Sequence, residues 1–203
     1  MSFTPRYTKP SESDPYYSTW DRFYWMDIAP NGGNCTGYAY GRCGECAGQN
    51  LYNDFYITGY NGNTDAQNWI YNTWPDQTVT SGDIDIQLGD ILVWGGVYGH
   101  VEIVEAINGN TLTLSYSVWA STYANSLEFG TRQISMPSWG SAMGTLARND
   151  GTSYTYTNPF IGYIHNKYID PTPEPPQTNV ITRLIPHFKK RVRLIWARRK
   201  YYV

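Results

Sequence analysis

Two residues of this chain pair a reactive side chain with a setting that would put it to use. Cys35 lies in Gly32-Gly33-Asn34-Cys35-Thr36-Gly37-Tyr38, where a glycine turn and an asparagine able to cap precede Cys35, Tyr38, Ala39, Arg42, Cys43 and Cys46 at helical spacing. A thiol in the first turn of a helix meets the positive end of the helix dipole. The sequence therefore predicts a lowered thiol pKa and a nucleophile. His100 follows Gly95-Gly96 and Gly99 and opens the apolar run to Ile107. A histidine at the first position of a strand can stand at a sheet edge, facing a helix end, and serve as general base and then general acid.

Taken singly, neither residue is diagnostic, since a cysteine near a helix start is more often packing and a histidine at a strand start is more often a polar strand end. Their joint occurrence, with glycines before both, is what the pattern of a nucleophile and its base requires. The elements that must position them are a helix from Cys35 and a β-hairpin, His100–Ile107 and Thr111–Trp119 around Asn108-Gly109-Asn110. If that loop has three residues, Ile107 opposes Thr111, His100 opposes Val118 and Glu102 opposes Tyr116. With a two-residue turn, His100 opposes Ser117, whose hydroxyl orients it weakly. Asp90–Trp94 forms a short apolar run before the hairpin, Ala66–Trp74 suits a short helix, and 127–168 reads as further strands and turns closing with Phe160–Ile164.

At 203 residues, 41% hydrophobic and 16% aromatic, with 19 Gly and 19 Tyr, the chain suits one turn-rich domain with β structure and tails. We read residues 1–31 as an irregular aromatic-rich lead-in broken by prolines, 32–168 as the domain, 169–179 as a Pro-rich spacer and 180–203 as a basic tail. The net charge of −2 hides an asymmetry. Residues 1–176 hold all 17 acidic side chains against 7 basic ones, and 177–203 hold 8 basic ones and no acid. In the tail Phe188, Val192, Ile195 and Trp196 recur at the spacing of an amphipathic helix. Three cysteines cannot form a disulfide framework, so at least one thiol is free or pairs elsewhere. No stretch approaches a membrane span and the first residues lack the pattern of a signal peptide, which leads to the expectation of a soluble cytoplasmic product.

Three ordered motifs, Gly33-Asn34-Cys35-Thr36-Gly37-Tyr38-Ala39, Gly89-Asp90-Ile91-Leu92-Val93-Trp94 and Gly99-His100-Val101-Glu102-Ile103-Val104-Glu105, resemble the CHAP family, the cysteine/histidine-dependent amidohydrolases/peptidases. Phe160-Ile161-Gly162-Tyr163-Ile164 is similar to that family's last strand, and the likeness runs from about Gly32 to Tyr168. The resemblance implies a papain-like α+β fold, with a helix bearing the nucleophile packed on an antiparallel sheet bearing the histidine. It implies hydrolysis of an amide in peptidoglycan, with Cys35 as nucleophile and His100 as base. Asn34 holds the place of the polar residue before the nucleophile, and the Cys35 N–H would help form the oxyanion hole.

The departure is at the third member. The family usually carries Ser-Glu-x-Asn-Trp on the strand after the histidine, where this chain reads Ser115-Tyr116-Ser117-Val118-Trp119. It usually has alanine where this chain has Glu102. Because residues two apart on a strand share a face, Glu102 is expected beside His100, as though the carboxylate had moved across the hairpin; Ser117 is the alternative partner.

Other signals are weaker. Cys43-Gly44-Glu45-Cys46 has redox or zinc spacing without two further ligands, so buried free thiols are expected. Asp83-Ile84-Asp85 lacks the alternation of a calcium loop. No metal or cofactor is expected. Trp94, Tyr98 and Trp119 are candidates for a substrate groove, with the core as their other place, and His165 is expected to be structural. The resulting expectation is a peptidoglycan amidase or endopeptidase, reaching the wall by lysis or inside a particle. We read it as a phage tail component anchored to tail proteins by the basic tail, located in the virion or, before lysis, in the host cytoplasm. A phage endolysin and a non-catalytic structural tail protein of the same fold are the alternatives, and no nucleic-acid partner is expected.

Overall fold

The computed structural model describes residues 3–11, 13–18, 35–49, 51, 65–71, 78–118, 128–147 and 151–169. The chain divides into two units, Met1–Pro171 and Thr172–Val203. All described residues lie in the first, so the basic tail and the spacer beyond Ile169 fall outside them.

Helix α2, Cys35–Ala47, begins at the cysteine and ends where Gly48 takes a φ of 65°, with the Gln49 N–H returning to the Gly44 carbonyl. A left-handed residue at this position is what glycine accepts and other residues resist. The helix has almost no aliphatic side chains and packs through tyrosines and small residues instead. A short helix α1, Pro15–Ser18, lies so close that a Cβ on Gly41 would come 2.5 Å from the Tyr17 ring. Tyr17 is fully buried and stacks on Tyr38. The part of the lead-in around α1 is therefore built into the core.

The strands are β1 Thr78–Val79, β2 Ile91–Trp94, β3 His100–Asn108, β4 Thr111–Val118, β5 Glu128–Ser135, β6 Ala142–Ala147 and β7 Ser153–Ile164. They pair antiparallel in the order β1-β7-β2-β3-β4-β5, with β6 added on β7. In β2 every residue is buried, because Ile91 and Val93 join Val101 and Ile103 under α2 while Leu92 and Trp94 join Val104, Leu114 and Tyr116 on the opposite face. This is the expected α+β arrangement, with the cysteine helix packed on an antiparallel sheet that carries the histidine. Ala66–Tyr71 is a 3₁₀ helix rather than an α-helix, and residues 72–77 are not among those described.

The hairpin differs from its expected form in an instructive way. Asn108 pairs with Thr111, so the turn is the two residues Gly109-Asn110, with Gly109 at a φ of 57°. A β-bulge between Val104 and Ala106 then adds one residue to β3, and beyond it Ile103 pairs with Ser115. Continued along the strands, this register sets Glu102 against Tyr116 and His100 against Val118. The pairing at the site is thus the one a three-residue loop would have given.

The bulge residue is Glu105, and it fastens the helix to the sheet. Arg42 of α2 donates from Nε to Glu105 Oε1 at 3.0 Å and from Nη2 to Oε2 at 2.9 Å. Ser115 Oγ donates to Oε1 at 2.6 Å, the Arg6 backbone N–H to Oε2 at 2.8 Å, and Tyr38 Oη donates in turn to Ser115 Oγ at 2.8 Å. Arg42 also meets Glu45, which accepts from Arg6 and from Tyr17 Oη. With side-chain exposures of 3% and 0%, Arg42 and Glu105 are tolerable in the interior only because each is fully hydrogen-bonded.

Removing one partner strands the other charge. Arg42→Met is expected to cost about 3–5 kcal/mol of unfolding free energy, read by urea denaturation, while Arg42→Met/Glu105→Leu recovers most of that loss. An Arg42→Met protein as stable as wild type would contradict this account of the helix–sheet contact.

Candidate active site

The hairpin delivers His100 to a turn that only glycine can make. Gly99 has a φ of 68°, and a Cβ there would come 2.4 Å from the Gln67 backbone nitrogen and 2.7 Å from the Trp94 carbonyl. The Val97–Gly99 turn is tied to the 3₁₀ helix, with Gln67 Nε2 donating to the Val97 carbonyl at 2.9 Å. His100 then pairs with Trp94 on β2.

Cys35 and His100 open into one cavity of about 660 Å³. Thr36, Asp65, Tyr98 and Asn158 give it polar groups, and Val118, Met143, Leu146 and Tyr156 supply a largely apolar wall. Cys35 keeps part of its surface, which faces this cavity, while His100 is 6% exposed. Among the described residues no cluster of three or more His, Cys, Asp or Glu side chains is arranged to hold a metal ion.

The thiol is not the lowered one that the helix dipole suggested. Burial pushes the Cys35 pKa up to about 11, against the pull of hydrogen bonds from the backbone N–H groups of Val101, Thr36 and Cys35 itself. Burial, with the Arg132 guanidinium nearby, lowers the His100 pKa to about 3. Desolvation disfavours each charged form and here outweighs the helix terminus. The resting pair is a neutral thiol beside a neutral imidazole.

Glu102 is wholly buried on the His100 face, with Oε1 at 3.8 Å from His100 Nε2, beyond hydrogen-bond length. Its oxygens are already engaged. Arg132 of β5 donates from Nε to Oε1 at 2.8 Å and from Nη2 to Oε2 at 2.6 Å, and Trp94 Nε1 donates to Oε2 at 2.9 Å. Burial raises the carboxyl pKa, and Arg132 and Trp94 hold it down. His100 Nε2 is buried with no hydrogen-bond partner among the described residues, and the Tyr116 ring packs edge-on to the imidazole at 6.3 Å.

The remaining expected site residues divide. Tyr98 is 73% exposed at the cavity rim, as a groove residue would be. Trp94 is not a groove residue: it is 1% exposed, packed edge-on against Phe160, and its indole N–H is spent on Glu102. Ser117 is buried and shares the face of Ser115, toward α2, and it is Val118, not Ser117, that lines the cavity with His100. Asn34 and Trp119 lie outside the described residues. Cys43 is buried and Cys46 half-buried, both as free thiols. His165 Nδ1 pairs with Asp90 at 3.0 Å, joining the end of β7 to the start of β2. Sequence reasoning did not single out Arg132, Asp65 or the apolar wall. Arg132 alone carried a signal, as one of 7 basic residues in the first 176.

Residues 25–118 match the family model of the CHAP domain. Over those residues the chain is similar to that family. The match holds Cys35, His100, Glu102 and Ser117 and stops before β5, so Arg132 and the wall residues Met143, Leu146 and Tyr156 lie beyond it. Two solved structures resemble the chain at low level, "The crystal structure of Ly7917" and the same protein "with the hydrolyzing product of MDP". Their identities are 17% and 18% and their TM-scores 0.39 and 0.40, over 76% of this chain. The chain spans 62% of the length of those structures. No curated protein matches it.

The neutral pair has a measurable consequence. With the thiol pKa raised to about 11, thiolate is lost as pH falls below that value, and the imidazole stays unprotonated down to about pH 3. Alkylation of Cys35 by iodoacetamide should therefore rise about tenfold per pH unit from pH 6 to pH 9. Trypsin separates the Cys35 peptide, which ends at Arg42, from Cys43 and Cys46, so the rate can be read by mass spectrometry. A rate already on its plateau at pH 6 would reveal a thiolate–imidazolium pair instead.

Proposed function

We propose that this chain is a CHAP-type enzyme that hydrolyses an amide bond of bacterial peptidoglycan by nucleophilic catalysis, with Cys35 as nucleophile and His100 as base. The observation that carries the reading is the shared cavity, which both the partly exposed Cys35 and the His100 imidazole line. Since the resting pair is neutral, the proton leaves Sγ for the imidazole as Sγ attacks the substrate carbonyl. The Cys35 backbone N–H, at the N-terminus of α2, then faces the developing oxyanion. His100 returns the proton to the leaving amine, and a water activated by the same imidazole hydrolyses the thioester.

Nε2 is the nitrogen turned toward Glu102, which leaves Nδ1 for the thiol. In this reading Glu102 is the third member, closing on Nε2–H when the imidazolium forms, because catalytic hydrogen bonds that are long in a free enzyme tighten in the complex. The substrate bond is the N-acetylmuramoyl-L-alanine amide or a peptide bond of the stem or bridge. The basic segment Val180–Val203 suits anchoring in a phage tail that carries the enzyme to the wall, and release as an endolysin is the other delivery route. A specific observation favours a second reading, a structural tail protein that has kept the fold: Tyr116 and Val118 occupy the positions where the family places its orienting groups.

Zymography on Gram-positive walls separates the readings. Wild type should clear the gel and Cys35→Ala should not, whereas absence of clearing by both would favour the structural protein. Product analysis then assigns the bond, a free muramoyl carboxyl marking an amidase. Glu102→Ala should lower kcat by roughly 10²-fold, by analogy with the orienting acid of other triads, with Glu102→Gln between. Full activity of Glu102→Ala would remove Glu102 from the mechanism. Deleting Val180–Val203 should spare hydrolysis of soluble fragments and abolish adsorption or assembly, and loss of the soluble activity would make the tail part of the catalytic unit.

A further inference from the structure

The carboxylate beside His100 creates an electrostatic difficulty. A lone buried carboxylate 3.8 Å from an imidazole would draw a proton onto the ring, and a protonated histidine cannot accept the thiol proton. We propose that Arg132 is the positioning residue that solves this: its guanidinium, forked onto both Glu102 oxygens, cancels the carboxylate charge and keeps His100 a proton acceptor. The inference rests on the reading of Cys35 and His100 as the catalytic pair.

The geometry is that of a built unit. Arg132 has a side-chain exposure of 10%, meets both carboxylate oxygens, and uses Nη1 to donate to the Met143 carbonyl at 2.6 Å. It therefore joins three strands, β5, β3 and β6, at the wall of the cavity, where Met143 is a lining residue. Its guanidinium lies 5.7 Å from the Trp94 ring centre, and Trp94 Nε1 takes a further place on Glu102. Lysine could supply the charge but not the planar fork.

Other groups face His100 as well. Cys35 comes from α2, Asp65 from the start of the 3₁₀ helix, Tyr98 from the turn and Tyr156 from β7, all lining the cavity. Tyr116 packs on the ring from β4, and Glu128 lies at the start of β5, paired in register with Val118. Only Arg132 brings a fixed positive charge to that carboxylate among the described residues. The lowering of the His100 pKa, with the Arg132 charge as its second cause after burial, agrees with this role.

The test is the imidazole titration of His100 by NMR in the full-length protein without substrate, together with the pH profile of kcat/KM, for wild type, Arg132→Gln and Arg132→Lys. Arg132→Gln should raise the His100 midpoint, and the acid limb of kcat/KM, by at least about one pH unit. In the same variant kcat should fall roughly tenfold or more with KM little changed. Arg132→Lys should restore the wild-type titration while kcat stays low, because the charge returns without the fork. A wild-type midpoint in Arg132→Gln, or identical titrations of the two variants, would overturn the proposal. Should Arg132→Gln not fold, Arg132→Lys decides: wild-type titration with reduced kcat supports the assignment, and wild-type kcat contradicts it. The titration needs no hydrolysis, so failure of the cysteine mechanism, seen as activity in Cys35→Ala, stays distinguishable from failure of the Arg132 role.

Discussion

The structure depends on one buried ion pair, Arg42 with Glu105, because it joins the helix that carries Cys35 to the strand that carries His100, the two side chains proposed to react. α2 has few aliphatic residues with which to grip the sheet, and its contacts are tyrosines, small residues and this pair. Glu105 lies two residues after Ile103, on the face toward α2, where it receives Arg42, Ser115 and the Arg6 backbone together. The bulge also resets the register of β3 on β4. One extra residue thus sets which β4 side chains surround the histidine, and its carboxylate anchors the helix of Cys35.

A second buried carboxylate, Glu102, lies three residues away on the opposite face of the same strand and has the other task. Glu105 holds the backbone in place, whereas Glu102, with Arg132 and Trp94, shapes the field around His100. Both are satisfied by arginine forks, which is what the interior demands of a charge. Burial favours the neutral forms of Cys35 and His100, while the Glu102 carboxylate next to the imidazole is held by Arg132 and Trp94.

Much of this was legible in the sequence. Cys35 and His100 stood out because glycines and strand or helix starts surround them, and those local constraints survive folding: Gly99 is needed where its Cβ would strike Gln67. The hairpin of β3 and β4 came from period and turn signals, whereas the antiparallel sheet with the helix packed on it came from the resemblance to the CHAP family. The register was reached by a mistaken route, since a two-residue turn and a bulge together equal a three-residue loop, and no local residue pattern announces the bulge. Arg132 was illegible because one arginine in an alternating strand reads as a solvated face, and only the β4–β5 register, Leu114 with Arg132, turns it inward. The thiol pKa was expected with the wrong sign because the helix dipole is a sequence-level signal and burial is not. Nearness to the motif left Trp94 open between groove and core, and alternation along β2 sends it into the core.

The account's central claim is that a neutral Cys35 becomes covalently acylated. Rapid acid quench of the wild-type protein turning over a soluble muropeptide, followed by pepsin digestion at low pH and mass spectrometry, tests it most directly. The account predicts an acyl adduct on Cys35 that forms and decays at the rate of turnover and is absent from Cys43 and Cys46. Turnover with no adduct on Cys35 at any quench time, and undiminished in Cys35→Ala, would contradict it.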